Sequence, residues 1–240
     1  MKKIYLLVII LLAFSVYMGC KKDDNKDDGG EPCPGTPTVT YEGQVYNTVL
    51  IGHQCWFREN LNVGTMIKGK DDMIDNGIIE KYCYDNDPAN CNEYGGLYQW
   101  NEMMEYDTTA GVQGICPDGW HLPTDDEWKI LEGTVDSLHP VGDSIWNRIG
   151  FRGYDAGKNL KSKIGWFQNT GTDAFEFTAL PGGCNIDDGY FYKITNSTLF
   201  WTSTENQGSA WNREVFYGVD KIGRGFHVPE NGYSVRCLKN

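Results

Sequence analysis

The hydrophobic pattern begins with an apolar run from Ile4 to Met18, which follows Lys2 and Lys3. A helix that spans a membrane needs about 20 apolar residues, so this run is too short for that role. A basic start followed by a short apolar stretch is typical of an export signal. The pattern therefore predicts that residues 1–19 are a signal peptide and that the protein leaves the cytoplasm.

β-Branched residues and a turn signal come next, in the stretch "GQVYNTVLIGHQCWFREN" of residues 43–60. Val45, Val49 and Ile51 favour extended structure, and Gly52 marks a turn between two apolar segments. This stretch predicts two short strands joined as a hairpin.

Helical spacing appears in two places after this hairpin. In residues 93–106 the apolar side chains recur at helical intervals, at Leu97, Trp100, Met103 and Met104. A second helix is predicted to begin at Thr124, because Thr124 and Glu127 have the spacing of a capping box. Asp125 and Asp126 would then lie in its first turn, where the helix dipole stabilises negative charge. These carboxylates therefore have a structural explanation that requires no catalysis.

Strand-like segments separated by Gly, Asn and Asp turns dominate the second half of the chain. Two helices followed by a twisted antiparallel sheet predict an α+β fold. Since strands alternate sides, about half of the aromatic residues there must be buried, and we expect Trp201 and Trp211 to be among them. The predicted strands are "AFEFTALPGG", "YFYKI", "LFWTSTE", "AWNREVFYG" and "YSVRCLK".

The composition limits the domain organisation and the partners. The chain has 240 residues and a formal net charge of −12. Nucleic acid binding needs a basic surface, so nucleic acid is not an expected partner. Residues 20–38 are charged and rich in Gly and Pro, which predicts a flexible acidic tether. Residues 39–240 have the length of a single domain.

Catalytic and metal-binding patterns are absent from the sequence. It contains no Gly-x-Ser-x-Gly, Cys-x-x-Cys, P-loop or Rossmann glycine pattern, and its four histidines, His121 and His227 among them, show no paired spacing. Asp85 and Asp87 offer oxygen atoms of the kind that Ca²⁺ prefers, but their spacing fits no EF-hand loop and turns favour Asp for their own reasons. We therefore expect no catalytic residue, cofactor or metal.

The end of the export signal, "VYMGC", resembles the lipobox of bacterial lipoproteins, in which the cysteine becomes an acylated N-terminus. This resemblance implies that Cys20 is lipidated and that the membrane is a partner through a lipid anchor, since several acyl chains hold a protein stably. The following "KKDD" resembles the acidic export signal of surface lipoproteins in the Bacteroidetes. We expect an outer-membrane lipoprotein that faces the cell exterior, with a solvated spacer as the alternative interpretation of these charges.

The stretch "CPDGWHLPTDDEW" and the ending "GYSVRCLKN", together with "VYNTVLIGHQCWFRENLN", "FWTSTE" and "AWNREV", resemble the Fibrobacter succinogenes major paralogous domain. The resemblance covers about residues 39–240. That family is similar to the C-type lectin-like fold, which also occurs in phage tropism determinants and in formylglycine-generating enzymes. The resemblance implies an exported domain in which "LPTDDEW" belongs to the scaffold, as the similar segment does in the formylglycine-generating enzyme.

Export also implies an oxidising compartment, in which cysteines form disulfides. The chain has eight cysteines, and leaving out Cys20 gives an odd number. The resemblance to the C-type lectin-like fold implies a bond between a cysteine near the helices and one on the last strand, and Cys116 and Cys237 suit it by position. The other expected pairs are Cys83 with Cys91 and Cys33 with Cys55, which leaves Cys184 as a buried free thiol.

Residues 185–232 are rich in aromatic residues, Asn and Gly, which suit adaptable recognition. Two functions follow as expectations. The first is a non-catalytic binding or adhesion module for an extracellular glycan or protein, and the second is an exported enzyme related to the formylglycine-generating type, which needs two copper-binding cysteines. An ordinary loop-rich surface is the alternative for this region. The side chains expected on an exposed ligand-binding face are Tyr190, Tyr192, Asn212, Tyr217, Arg224, Phe226 and His227.

Overall fold

The computed structural model describes residues 30–168 and 170–240. The predicted signal peptide, residues 1–19, and the predicted acylation site Cys20 lie outside these residues. No helix within the described ranges has both the length and the apolar character that crossing a membrane requires.

The described residues form an α+β fold, which confirms the predicted class. They contain four α-helices where the sequence predicted two: α1 (Pro88–Tyr94), α2 (Trp100–Met103), α3 (Asp125–Val135) and α4 (Ala156–Leu160). The strands are β1 (Thr38–Tyr41), β2 (Gln44–Ile51), β3 (Gln54–Phe57), β4 (Thr65–Ile67), β5 (Glu80–Tyr82), β6 (Trp120–His121), β7 (Gly150–Arg152), β8 (Cys184–Asn185), β9 (Phe191–Tyr192), β10 (Ser197–Asn206), β11 (Ser209–Phe216), β12 (Ile222–His227) and β13 (Leu238–Lys239).

Two sheets organise the domain. The five-stranded sheet has the order β1-β2-β3-β13-β6, and the four-stranded sheet has the order β10-β11-β12-β7, with every pairing antiparallel. Two smaller pairs complete the described strands, and β4 pairs with β5 in parallel, which the sequence did not predict. The predicted hairpin is confirmed as β2 and β3 around Gly52.

The predicted first helix is only partly correct: its second half contains α2, whereas residues 95–99 are extended between α1 and α2. Gly95 ends α1 with a φ of 84°, in the left-handed region that favours glycine. Leu97 then exchanges two backbone hydrogen bonds with Tyr82, at 2.9 and 3.0 Å, and Tyr98 does the same with Tyr233. These long-range pairings satisfy the backbone groups that a continuous helix would have used.

The predicted second helix is confirmed as α3. Thr124 Oγ1 accepts from the Glu127 backbone N–H at 3.2 Å, and Glu127 Oε2 accepts from the Thr124 N–H at 2.8 Å, which completes the capping box. Trp128 is fully buried in this helix. It packs in one core cluster with Trp56, Phe177 and Phe200.

Two of the predicted strands are wrong for most of their length. In residues 174–183 the chain makes only isolated bridges, and the backbone is left-handed at Glu176 and Thr178, with φ of 54° and 53°. Buried Arg236 binds this segment by donating to the carbonyl oxygens of Phe177 and Thr178. The last predicted strand is regular only in β13, and β12 was not predicted at all.

The predicted tether is partly folded onto the domain. Leu50 N–H donates to Glu31 O at 2.7 Å, and β1 begins at Thr38. Cys33 is buried and bonded to Cys55 in the first hairpin. Residues 31–38 therefore belong to the folded domain, which begins earlier than the predicted boundary at residue 39.

All three expected disulfides are confirmed, and Cys184 is free and buried as predicted. The bonded pairs are Cys33–Cys55, Cys83–Cys91 and Cys116–Cys237. The last pair connects the segment before α3 to the residue before β13, and it lies in a second core cluster with Tyr98, Trp120 and Trp201.

Candidate functional site

The seven residues predicted on an exposed face do not share one surface. Tyr190, Tyr192 and Phe226 are 54%, 41% and 44% exposed, as expected. Asn212 and Arg224 are buried, which contradicts their predicted exposure.

The remaining two candidates differ from each other. Tyr217 is half-buried and packs edge-on against Phe167 at 5.1 Å between ring centroids, so its predicted exposure is only partly correct. His227 is exposed. Trp201 is buried as predicted, whereas Trp211 is only half-buried.

Arg224 is buried because it pairs with Asp125 at the start of α3. Its Nε and Nη2 donate to Asp125 Oδ1 and Oδ2, both at 2.8 Å. Arg213 Nη1 also donates to Asp125 Oδ1, at 2.8 Å. Burial alone would raise the pKa of Asp125, but the hydrogen bonds from Arg224 and the charge of Arg213 hold that pKa well below its usual range. Asp125 is therefore an ionised, structural carboxylate.

A second carboxylate extends this buried network. Glu132 of α3 is fully buried and binds Arg213 Nε and Arg152 Nη2, the latter at 2.6 Å. Burial lowers the pKa of Arg152 to about 10, against the opposing charge of Glu132. The network joins α3 to β7, β11 and β12, so it fixes which face of the four-stranded sheet α3 covers.

The opposite face of this sheet, the open face, carries the candidate site. Side chains alternate along a strand. Because Arg213 and Arg224 point to α3, their neighbours Asn212, Gly225 and the paired Gly223 lie on the open face. Two hollows on this face adjoin each other, and His227 lines both.

The larger hollow, which we call the sheet-face cleft, has a volume of about 560 Å³. Its floor contains three buried side chains, those of Cys184, Leu199 and Tyr233. Burial raises the pKa of the Cys184 thiol to about 11, so the floor carries no charge at neutral pH. The residues that line the cleft are Cys184, Ile186, Asp187, Tyr192, Lys193, Asn196, Leu199, His227, Asn231 and Tyr233.

His227 is held in a defined orientation between the two hollows. Its Nδ1 lies 3.0 Å from Asn212 Nδ2 and 2.8 Å from the Tyr233 hydroxyl, which in turn accepts from Asn231 Nδ2 at 3.0 Å. Because an amide nitrogen can only donate, Nδ1 acts as the acceptor with Asn212 in this orientation, and the ring proton lies on Nε2. Although the residue is exposed, partial desolvation of its ring between the two hollows lowers the pKa of His227, which favours the neutral form.

The smaller hollow, which we call the glycine hollow, has a volume of about 180 Å³. Gly223 and Gly225 of β12 form its floor, and Phe151 stands at one side. Glu214 lies between the two hollows, where its Oε1 accepts from Lys193 Nζ at 2.9 Å. The hollow thus presents bare backbone flanked by one aromatic ring and one paired carboxylate.

The structure brings only two of the predicted face residues, Tyr192 and His227, to the rim of the sheet-face cleft. Asn212 lies beneath His227 and lines the glycine hollow. Tyr190 lines a separate hollow of about 370 Å³, where Lys70 Nζ stands 4.6 Å from its ring centroid. Phe226 lies on the α3 side, edge-on to Trp211.

Several cleft residues were missed from sequence because they come from distant segments. Leu199 lies on β10. Asn231 and Tyr233 lie on the segment that pairs with β10 in parallel at Ser234, so only the fold joins them to Cys184. A pattern that distinguishes these residues from ordinary core residues is absent from the sequence. The one usable signal was the glycine spacing of β12, since glycine within a strand often marks close approach of a ligand or another backbone.

Residues 30–168 and 170–240 contain no group of three or more His, Cys, Asp or Glu side chains that could hold a metal ion. Asp87 caps α1 by accepting from the Ala89 N–H at 2.9 Å, and Asp85 lies in a short 3₁₀ turn with a φ of 54°. These two candidates therefore have structural positions. His121 is also accounted for, by hydrogen bonds to Glu127 at 3.0 Å and to Asn240 at 2.7 Å.

The fold and the cleft define an α+β domain with a hollowed, open sheet face. The Fibrobacter succinogenes major domain model matches residues 49–239, so the chain belongs to that family, as predicted. No curated protein and no solved structure matches the chain.

Proposed function

We propose that the protein is a lipid-anchored, non-catalytic binding module on the surface of the bacterial outer membrane, and that the sheet-face cleft contacts its ligand. The observation that carries this proposal is the cleft of about 560 Å³, with an uncharged floor and a polar rim. Ligand sites in proteins share this size and this mixture of apolar walls and a few placed polar groups.

The C-type lectin-like fold is part of the same proposal. Its support is the α+β architecture with mostly antiparallel strands, and the disulfide between Cys116 and Cys237, which links the helical region to the last strand. The sequence resemblance favours the same fold.

The chemistry of the cleft supports binding over catalysis. The pKa of Cys184 is raised by burial, which leaves the thiol protonated and a poor nucleophile. The Nδ1 of His227 is already engaged in hydrogen bonds, so that nitrogen is not free to act as a base. An enzyme of the formylglycine-generating type is the competing function, but Cys237 is bonded to Cys116, and Cys184 is the one free cysteine in the described part of the chain.

Lipidation at Cys20 would keep the domain close to the membrane. Gly30, where the described chain begins, is ten positions after Cys20. Since an extended residue spans at most about 3.6 Å, the domain would lie within about 35 Å of its anchor. This reach suits a module that binds at the cell surface.

The anchor is tested by membrane fractionation of cells that express Cys20→Ala. The proposal expects the variant in the soluble fraction and the wild type in the membrane fraction after a carbonate wash, with protease shaving of intact cells removing the wild type. Retention of Cys20→Ala in the membrane would contradict the lipid anchor, and protection from protease would place the domain inside the cell envelope.

The binding function is tested with the mature full chain in detergent on arrays of glycans and peptides. Specific retention of probes from one class supports the proposal. A chain that retains no probe, yet converts a substrate on incubation, would favour the enzyme.

A further inference from the structure

We propose that the two hollows together bind an extended polypeptide segment, with its backbone over Gly225 and an apolar side chain in the sheet-face cleft. This inference rests on the proposed function, because it names the ligand class for the same site.

The first observation is that the fold does not require glycine at position 225. Its φ lies outside the left-handed region, and a Cβ there would meet nothing closer than Asn212 Oδ1 at 3.7 Å, an ordinary contact. Gly223 differs, because a Cβ there would lie 3.1 Å from Glu214 Cβ and 3.3 Å from Phe151 Cε1. Glycine weakens a strand interior, so a glycine without a packing role points to close approach of another backbone.

The second observation is a matched donor and acceptor beside Gly225. Asn212 is 1% exposed and donates through Nδ2 to His227, while its Oδ1 accepts no hydrogen bond from the described residues and faces Gly225. His227 presents its Nε2–H, because Nδ1 is occupied. A peptide group carries one N–H donor and one carbonyl acceptor, so it complements this pair.

The third observation is the chemistry of the cleft floor. Leu199 and the protonated thiol of Cys184 provide almost no hydrogen-bonding capacity. The Tyr233 hydroxyl is already bonded to Asn231 and His227. Sugar hydroxyls buried there would lose water without gaining partners, which is costly. An apolar side chain gains free energy from the same burial. The floor therefore favours a peptide over a glycan.

The charges at the cleft rim indicate which peptide sequences would bind. Lys193 is paired with Glu214 at 2.9 Å, whereas the exposed carboxylate of Asp187 on the cleft rim forms no ion pair within the described residues. The whole chain carries a formal net charge of −12, which attracts cationic partners. We therefore expect a segment in which Lys or Arg stands next to the apolar residue.

The experiment compares the wild-type mature chain in detergent with Gly225→Val on a random peptide display library and on a glycan array. Wild type is expected to enrich peptides that carry an apolar residue beside Lys or Arg. Gly225→Val should weaken their binding about tenfold or more, since it fills the floor. Its melting temperature should not fall, because valine suits a strand.

Thr40→Val, an exposed position of β1 in the other sheet, is the matched control and should bind as wild type does. If Gly225→Val fails to fold, Gly225→Ala replaces it in the binding measurement. Peptides bound equally well by the Gly225 variants would overturn the inference. If glycans bind wild type and bind these variants more weakly, the polypeptide assignment is overturned, but the binding module is supported. If wild type retains neither peptides nor glycans, both the polypeptide assignment and the proposed binding function are overturned.

Discussion

Arg224 of β12 and Asp125 of α3 form a bidentate ion pair, with both hydrogen bonds at 2.8 Å, although they are 99 positions apart in sequence. The Arg224 guanidinium also lies 3.4 Å from the centroid of the Trp211 ring. Because β12 carries Gly225 and His227 on its opposite face, this pair fixes the strand that forms the floor of the glycine hollow. The stability of the fold and the geometry of the candidate site therefore depend on the same strand.

Removing the carboxylate of this pair should destabilise the fold strongly. Asp125→Ala would leave Arg213 and Arg224 buried and short of a counter-charge, which costs about 3–5 kcal/mol. Asp126→Ala is the matched control, since the exposed Asp126 side chain pairs with Lys129 and an exposed pair contributes about 0–1 kcal/mol. Urea unfolding at neutral pH measures both free energies. Similar small losses in the two variants would show that the network is not needed for the fold.

The His121 hydrogen bonds predict a dependence of stability on pH. The hydrogen bond to Glu127 raises the pKa of His121 above its usual value, against burial and with help from Asn240. The charged form is thus favoured in the folded state. Its contribution is complete below the unfolded pKa of about 6.5 and is lost as pH rises through the folded pKa.

The test is the free energy of unfolding of wild type and His121→Gln from about pH 6 to about pH 9. Wild type should lose stability relative to His121→Gln as the pH rises. A constant difference between the two proteins over that range would contradict the raised pKa.

The disulfides should differ in their contribution to stability according to the loops they close. Cys116 and Cys237 are 121 positions apart, whereas Cys83 and Cys91 are 8 apart. In the chain-entropy model the long loop corresponds to about 5 kcal/mol and the short loop to about 2–3 kcal/mol. Double alanine variants of each pair, unfolded in guanidinium, measure both values. A larger loss from the short loop would contradict this order.

Much of the local structure could be predicted from sequence, because its signals lie within a few residues. The capping box at Thr124 and the turn at Gly52 are such signals, and both α3 and the first hairpin formed as predicted. The first predicted helix formed only as α2, because long-range pairing competes with its local signal. Its spacing is helical, but Leu97 and Tyr98 bond to strands far away in sequence.

The candidate site could be predicted only in part for the same reason. An arginine and an asparagine in a polar, aromatic region are typical of a surface, but Arg224 pairs with Asp125, and Asn212 donates to His227. Such burial depends on partners that the sequence pattern does not reveal. The odd number of cysteines predicts one free thiol, and the expected pairings leave Cys184, whereas its position on a cleft floor follows only from the fold.

The most direct test of the central claim, that the sheet-face cleft binds the ligand, compares Tyr192→Ala with Tyr154→Ala. Both tyrosines are exposed, at 41% and 57%, but Tyr192 lies on the cleft rim and Tyr154 lines neither hollow. The measurement is the affinity for a peptide or glycan probe that wild type retains, together with the melting temperature. We expect Tyr192→Ala to bind more weakly at an unchanged melting temperature, and Tyr154→Ala to bind as wild type does. Equal affinity of the two variants would contradict the account.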